Sequence, residues 1–189
     1  MGKVMAGMTV SLDGFINDKD GSAAKLSPDF EELLEAPSFK KMTDDTGAII
    51  MGRHTFEMAD PFDWVNEDYE FQLPLFILAH NVPEKYLKGN GKLTVTFVTD
   101  GIESVITQAK NAAGDKMVQI IGGADTIQQA LNSGLCDELG IDVMPVLLGK
   151  GLRLFENIDT DKITLERVSV EKTTSIRTSI IFKVAKADT

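Results

Sequence analysis

Two strand-to-helix junctions constrain the fold of this chain most. In each, a short apolar run typical of a buried β-strand stops at glycine, and a helix-like segment begins. The two segments are Gly47-Ala48-Ile49-Ile50-Met51-Gly52-Arg53-His54-Thr55-Phe56-Glu57 and Met117-Val118-Gln119-Ile120-Ile121-Gly122-Gly123-Ala124-Asp125-Thr126. A helix start leaves backbone N–H groups unpaired and carries partial positive charge, so it suits an anion. Two such turns indicate one ligand with two separate phosphate groups.

The alternation of strands and helices predicts one α/β domain over residues 1–189. Up to Gly134 the two kinds of segment alternate, which favours parallel strand pairing. The clearest helix is 102–113, whose apolar residues recur at helical spacing. From 163 to 184 the apolar residues alternate with period two, which predicts an antiparallel hairpin. We therefore expect a mixed sheet with helices on both faces.

Two helix boundaries follow from local signals in the region before the first junction. Ser27-Pro28 followed by acidic residues predicts a helix with Ser27 as its N-cap, and Pro37 should end or bend that helix.

Composition excludes several classes of function. The formal net charge of −10 argues against general binding to nucleic acid or to an anionic membrane. No stretch approaches the roughly 20 apolar residues that span a bilayer. A single cysteine, Cys136, rules out an internal disulfide and fits a reducing compartment. We expect a soluble cytoplasmic protein without a metal site, in which Cys136 is a small buried apolar residue.

Several sequence blocks resemble one family, and they occur in that family's order. Met51-Gly52-Arg53-His54-Thr55-Phe56-Glu57 and Ile121-Gly122-Gly123 resemble conserved blocks of the dihydrofolate reductase superfamily. Ser11-Leu12-Asp13-Gly14, Gly134-Leu135-Cys136-Asp137-Glu138-Leu139, Pro145-Val146-Leu147-Leu148-Gly149-Lys150-Gly151 and Leu154-Phe155 resemble a more specific branch. That branch is the reductase domain at the C-terminus of the bacterial riboflavin-pathway deaminase-reductase. The resemblance covers most of the chain.

This resemblance implies an eight-stranded dihydrofolate-reductase-like sheet, NADPH as hydride donor and a homodimer. It also implies four groups of cofactor-binding residues. Gly52, Arg53, His54 and Thr55 would hold the phosphates on the adenosine side, and Leu78, Ala79, His80 and Asn81 would lie beside the adenosine. Ile121, Gly122, Gly123, Ala124, Asp125 and Thr126 would hold the pyrophosphate, and Ala6 and Ile16 would lie near the nicotinamide. We expect the Asp125 side chain to point away from phosphate and cap its helix.

The residues leave the reaction partly open. Asp13 is the acidic residue that the resemblance places near the nicotinamide, and it is the candidate proton donor; its alternative role is to form the Asp-Gly turn. Folate enzymes use a carboxylate on the first helix, and Glu35 is the nearest by count. Lys150 and Arg153 are the candidates for a substrate phosphate.

Three functions therefore remain open at this stage. The first is a riboflavin-type reductase acting on 5-amino-6-(5-phosphoribosylamino)uracil. The second is a reductase of dihydrofolate, a pterin or another small carbonyl compound. The third is an NADP-binding protein without catalysis.

Overall fold

One eight-stranded mixed sheet organises the part of the chain that the structure describes. The structure is a computed structural model and describes residues 2–186. Its strands are β1 Val4–Ser11, β2 Thr46–Gly52, β3 Leu75–Leu78, β4 Val95–Val98, β5 Met117–Ile120, β6 Glu138–Met144, β7 Ile163–Lys172 and β8 Thr178–Lys186. Their order across the sheet is β4-β3-β2-β5-β1-β6-β8-β7.

Strand direction is uniform from β4 to β6 across the sheet and reverses at β8, in the C-terminal hairpin that the sequence pattern predicts. Strands β1 to β6 are mutually parallel, whereas β8 runs antiparallel to β6 and to β7. The carboxyl ends of β1, β2, β3, β5 and β6 therefore meet at one edge of the sheet. Open α/β sheets bind ligands at this edge.

Helices cover both faces of the sheet. They are α1 Phe30–Glu35, α2 Pro37–Asp45, α3 Arg53–Glu57, α4 Pro61–Trp64, α5 Ile102–Ala113 and α6 Ala124–Asn132. Because side chains alternate along a strand, β2 contributes to two cores. Ile50 packs with α5 and α6 on one face, and Ile49 packs with residues of α2 and α3 on the other. The predicted fold class is confirmed, and the single-domain assignment for residues 1–189 stays a prediction.

The predicted start of the first helix was wrong. Helix α1 begins at Phe30, and Ser27 lies outside it, because Asp29 is buried and ion-paired with Arg177 instead of continuing a helix from Pro28. The expected break at Pro37 is confirmed. Pro37 begins α2 as its first residue, a position at which the missing N–H costs no hydrogen bond.

Candidate cofactor site

The two glycine junctions lie side by side at the carboxyl edge of the sheet. Strands β2 and β5 are parallel neighbours, and Ile121 N–H donates to the carbonyl of Ile50 over 3.0 Å. Directly beyond, Gly52 N–H donates to the carbonyl of Gly122 over 2.8 Å. Gly122 has a φ of +135°, which L side chains rarely adopt. The predicted meeting of these junctions is therefore seen in the backbone itself.

The glycines also permit an approach that side chains would block. A Cβ placed on Gly52 would lie 2.5 Å from the Thr126 hydroxyl oxygen. A Cβ on Gly122 or Gly123 would lie 3.1 or 3.2 Å from the Thr55 hydroxyl oxygen. Each junction thus packs against the threonine that follows the other one. The result is that the two junctions lie in contact with each other where helix α6 begins.

Arg53 begins α3, and its guanidinium is oriented by two neighbours. Its Nε lies 2.6 Å from Glu57 Oε1, and one terminal nitrogen lies 3.1 Å from Asn81 Oδ1. The pair with Glu57 is exposed, so its net stabilising effect is small. The two contacts instead position the Arg53 guanidinium beside the glycine junctions.

The segment after β3 lies next to the Arg53 junction. Leu78 pairs with Gly52 in the parallel register, which brings residues 78–81 to the same edge. Ala79 is buried, whereas His54, His80 and Asn81 are exposed. The structure thus brings together the predicted groups 52–55, 78–81 and 121–126.

Helix α6 begins with one buried and one exposed polar residue. Thr126 is buried, and so is Ala124, while Asp125 is exposed. The expected cap by Asp125 was wrong: Gly123 is the N-cap residue, without a side-chain cap bond. The Asp125 carboxylate instead accepts a 2.6 Å hydrogen bond from Gln129 Nε2 one turn later. Because of this contact, the Asp125 carboxylate does not bond to the N-terminal amide groups of α6.

The residues expected near the nicotinamide lie on and just after β1. Ala6 is fully buried and pairs with Ile120 of β5 and Leu139 of β6. After the strand, Ile16 N–H donates to the carbonyl of Leu152 over 2.9 Å. The central strands β5 and β6 therefore fix Ala6 in position. The hydrogen bond to Leu152 fixes Ile16.

Asp13 lies in a network that favours its ionised form. The Ser11 hydroxyl donates to it over 2.6 Å, and the N–H groups of Leu148 and Gly149 donate over 3.1 and 2.7 Å. The Ser11 hydroxyl is the largest cause that lowers the pKa of Asp13 to about 2, and these two N–H groups add to it. A carboxyl group with this pKa holds no proton near neutral pH. The contacts favour a structural role, so catalysis by Asp13 stays a prediction that they do not support.

The candidate phosphate ligand Arg153 already has partners. Its guanidinium donates to the Asp13 carbonyl over 3.1 Å and lies 4.2 Å from the centre of the Phe15 ring. Lys150 is exposed in the neighbouring loop. Arg153 therefore links two loops as well as carrying charge at this edge.

A buried charged cluster was missed in the sequence. Arg177 is 1% exposed, and two guanidinium nitrogens donate to Asp29 over 3.0 and 2.8 Å. Its remaining contacts include Thr9 at 2.8 Å and Asp142 at 3.1 Å. Thr174 donates to Asp29 over 2.6 Å. The sequence shows Arg177 directly before an apolar strand, which is one sign of a buried arginine. The acidic partners of Arg177 are distant in sequence, so the cluster itself was not predicted.

Other chemistries find little support in the described residues. The Cys136 thiol is buried, which raises its pKa to about 11, and it donates to the Glu138 carbonyl over 3.0 Å. Within residues 2–186, no group of three or more His, Cys, Asp or Glu side chains could hold a metal ion. None of the helices described is both long and apolar enough to cross a membrane.

Comparison with known proteins gives the same family at the levels of sequence and fold. The model of the RibD C-terminal domain matches residues 2–177. The protein YyaP of Bacillus subtilis (strain 168) is 27% identical over 186 residues, covering 95% of this chain and 94% of YyaP. A candidate riboflavin biosynthesis protein from Shewanella sp. PV-4 has a similar structure, with 25% identity and a TM-score of 0.72 over 97% of this chain and 99% of that one.

The fold is also that of dihydrofolate reductases. The enzyme from Enterococcus faecalis, solved with NADP(H), aligns with a TM-score of 0.60 at 15% identity, covering 99% of this chain and 98% of that one. At this identity the likeness concerns the fold alone.

Proposed function

The chain belongs to the RibD C-terminal domain family, and on that premise we propose that it is an NADPH-dependent reductase of the riboflavin-pathway type. The observation that carries the proposal is the contact between the two glycine junctions, in which Gly52 donates to Gly122 beside Arg53. In the proposed complex, one junction faces the adenosine-side phosphates and the other faces the pyrophosphate.

The residues present fit such a cofactor. A Cβ at Gly52, Gly122 or Gly123 would crowd Thr126 or Thr55, so the glycines keep the two junctions close enough for one ligand to reach both. Arg53 supplies a cation for the 2′-phosphate that distinguishes NADP from NAD. The amide groups at the start of α6 suit a pyrophosphate. When bound, NADPH supplies the hydride, and the chain's contribution is to bind, orient and exclude water.

The buried floor of the site fits that contribution. Ala6 is fully buried between two parallel neighbours, so it belongs to a packed layer from which water is excluded. Ile16 and Ile121, both half-buried, are the proposed apolar contacts beside it. All three side chains are apolar, so none of them would hold water next to the nicotinamide.

Asp29 favours the riboflavin-type substrate over folate or another pterin. It is the buried carboxylate at the start of α1, where a folate-type enzyme would need a proton donor for its substrate. Burial alone would raise the pKa of Asp29, but hydrogen bonds from Arg177 and Thr174 and the charge of Arg177 hold it below the ordinary value. Both carboxylate oxygens already accept bonds within the protein. We therefore favour 5-amino-6-(5-phosphoribosylamino)uracil as the substrate.

Replacing Arg53 by alanine should weaken NADPH binding about 10- to 100-fold. A charge-assisted hydrogen bond contributes about 1.5–3 kcal/mol, and each 1.4 kcal/mol corresponds to a tenfold change in affinity. NADH lacks the 2′-phosphate, so its Kd should change less than threefold. Titration of both dinucleotides by calorimetry measures the difference, and an unchanged Kd for NADPH would contradict the assignment.

The matched control is Glu57→Gln, which removes the acidic partner of Arg53 and keeps the side-chain shape. If Arg53 contacts phosphate, the loss of a nearby negative charge should leave NADPH binding unchanged or make it tighter. If Arg53 serves only its pair with Glu57, the two variants should behave alike.

Catalysis separates a reductase from a cofactor-binding protein without activity. NADPH should raise the melting temperature more than NADH at equal concentration, because stabilisation follows occupancy. Loss of NADPH absorbance with the phosphoribosylaminouracil substrate then measures reduction. Stabilisation without oxidation of NADPH by this compound or by a pterin would favour the non-catalytic alternative.

We also propose a homodimer that uses the exposed strand β7. Leu165, Val168 and Val170 on this edge strand are 45–59% exposed. An exposed edge strand with apolar side chains is a surface on which a second chain can pack. Light scattering should give twice the chain mass, and a Leu165→Lys, Val170→Lys variant should give the monomer mass. A monomeric parent protein would contradict the proposal. The cytoplasmic location stays a prediction.

A further inference from the structure

One buried carboxamide lacks the hydrogen bond that its burial requires. Gln119 is on β5, three residues before Gly122, and it is 4% exposed. Its Oε1 is buried without a partner among the described residues. A buried polar atom without a partner costs about 1–3 kcal/mol, so such an atom in a central strand needs an explanation.

The strand beside this carboxamide leaves space for it because residue 7 is glycine. Gln119 Nε2 lies 2.7 Å from where a Cβ of Gly7 would be, so any side chain at position 7 would displace it. Met5, Gly7 and Thr9 share one face of β1 and are all half-buried, although β1 is a central strand. This face, which we call the Gly7 groove, is therefore not fully covered by helices.

The end of the Gly7 groove at Thr9 is polar and fixed in position. Thr9 accepts a 2.8 Å hydrogen bond from Arg177, so its hydroxyl proton can point elsewhere. Asp142 pairs with Thr9 across the strands, and its side chain is 30% exposed. This end of the groove thus offers a hydroxyl donor and a carboxylate acceptor toward the sheet edge where the cofactor is proposed to bind.

We propose that Gln119 is a specificity-determining residue that binds the lactam edge of a planar heterocyclic substrate lying in the Gly7 groove. A lactam has a ring N–H beside a carbonyl, and a carboxamide has one donor and one acceptor group. A half-turn of the carboxamide exchanges its nitrogen and oxygen, so either can face the groove. A substrate with a donor and an acceptor side by side can meet both orientations, and the uracil ring has this edge. The inference rests on the proposed reductase function.

The test is Gln119→Met, which removes both polar atoms and keeps the length of the side chain. The ligand-free variant should melt at the same temperature as the parent protein or a few degrees higher, because an unpaired buried atom is gone. The KM for 5-amino-6-(5-phosphoribosylamino)uracil should rise about tenfold, while the Kd for NADPH changes less than twofold. Loss of substrate binding combined with unchanged or higher stability is the expected signature.

Gln128→Met is the matched control. Gln128 is 5% exposed, but its Nε2 donates to the Leu154 carbonyl over 2.7 Å. This variant should melt at a lower temperature and keep its KM. If Gln119→Met also melts lower, its carboxamide has a structural partner and the inference is wrong. An unchanged KM at position 119 overturns it as well.

The parent protein separates this inference from the function on which it rests. Oxidation of NADPH only with substrates that lack a lactam edge overturns the role of Gln119 and leaves a reductase. Absence of NADPH oxidation with every candidate substrate overturns the proposed function, and the inference with it.

Discussion

Replacing Arg177 by methionine should lower the free energy of unfolding by about 3–5 kcal/mol, the cost of leaving a buried charge without its partner. Asp29 is 2% exposed at its side chain and receives two hydrogen bonds from Arg177. Methionine fills a similar volume but offers no donor, so the Asp29 carboxylate remains buried with Thr174 as a partner. Urea denaturation at neutral pH measures the loss, and the melting temperature should fall by about 10 °C.

Lys41→Ala is the control for the general loss of an ion pair. Lys41 lies 2.6 Å from Asp45, but the two side chains are 76% and 54% exposed. Removing it should cost at most about 1 kcal/mol. Equal effects of the two substitutions would mean that burial of the Arg177 cluster does not determine its contribution. A double variant, Asp29→Leu with Arg177→Met, should recover part of the loss, because it removes both charges.

The same cluster should make the free energy of unfolding decrease as the pH falls. A folded-state pKa below the unfolded value, about 3.9 for aspartate, contributes stability that is fully present above that value. The contribution is lost as the pH falls through the lower folded-state pKa of Asp29. Between pH 5 and 3 the parent protein should therefore lose more stability than an Asp29→Asn variant does.

Local sequence patterns predicted most of the fold because the sheet is built from local signals. Alternating strand and helix segments specify parallel pairing, and the period-two pattern after residue 163 specifies the hairpin. Helix α5 was predicted to its residue limits, 102–113, because the apolar residues at helical spacing are the ones it buries and because Gly101 and Gly114 flank it. The error at Ser27 has a non-local cause: Asp29 is fixed by Arg177, which is 148 residues away. No local pattern contains that partner.

The candidate site could be predicted where it consists of backbone and glycine. The junctions at Gly52 and Gly122 are visible as local motifs, and the register of β2 and β5 brings them together. Side-chain partners were harder to predict. The bond from Gln129 to Asp125 replaced the expected cap, and the contacts of Asp13 with residues 148 and 149 required the loop to fold back. Gln119 gave no signal, because its unusual property is a missing hydrogen bond.

Replacing Gly122 by alanine should abolish measurable NADPH binding, a loss of at least about 100-fold. A residue with a side chain is strained at a φ of +135°, and its Cβ would lie 3.1 Å from the Thr55 hydroxyl oxygen. Both effects displace the backbone that joins the two junctions, so the groups proposed to contact the two phosphate regions lose their common geometry. Because such sites tolerate little displacement, affinity should fall much more than stability. Calorimetric titration with NADPH and thermal denaturation measure the two quantities.

Gly21→Ala separates strain from the effect on the site. Gly21 has a φ of +81°, so alanine is strained there too, but a Cβ would meet nothing within 4 Å. This variant should lose about 1–2 kcal/mol of stability and keep its affinity for NADPH. If Gly122→Ala loses similar stability and still binds NADPH as the parent protein does, the two junctions do not act on one ligand. Family membership would then support the fold and leave the reductase proposal without its structural basis, because every cofactor contact proposed for Arg53, Thr55 and Thr126 depends on the position of that backbone.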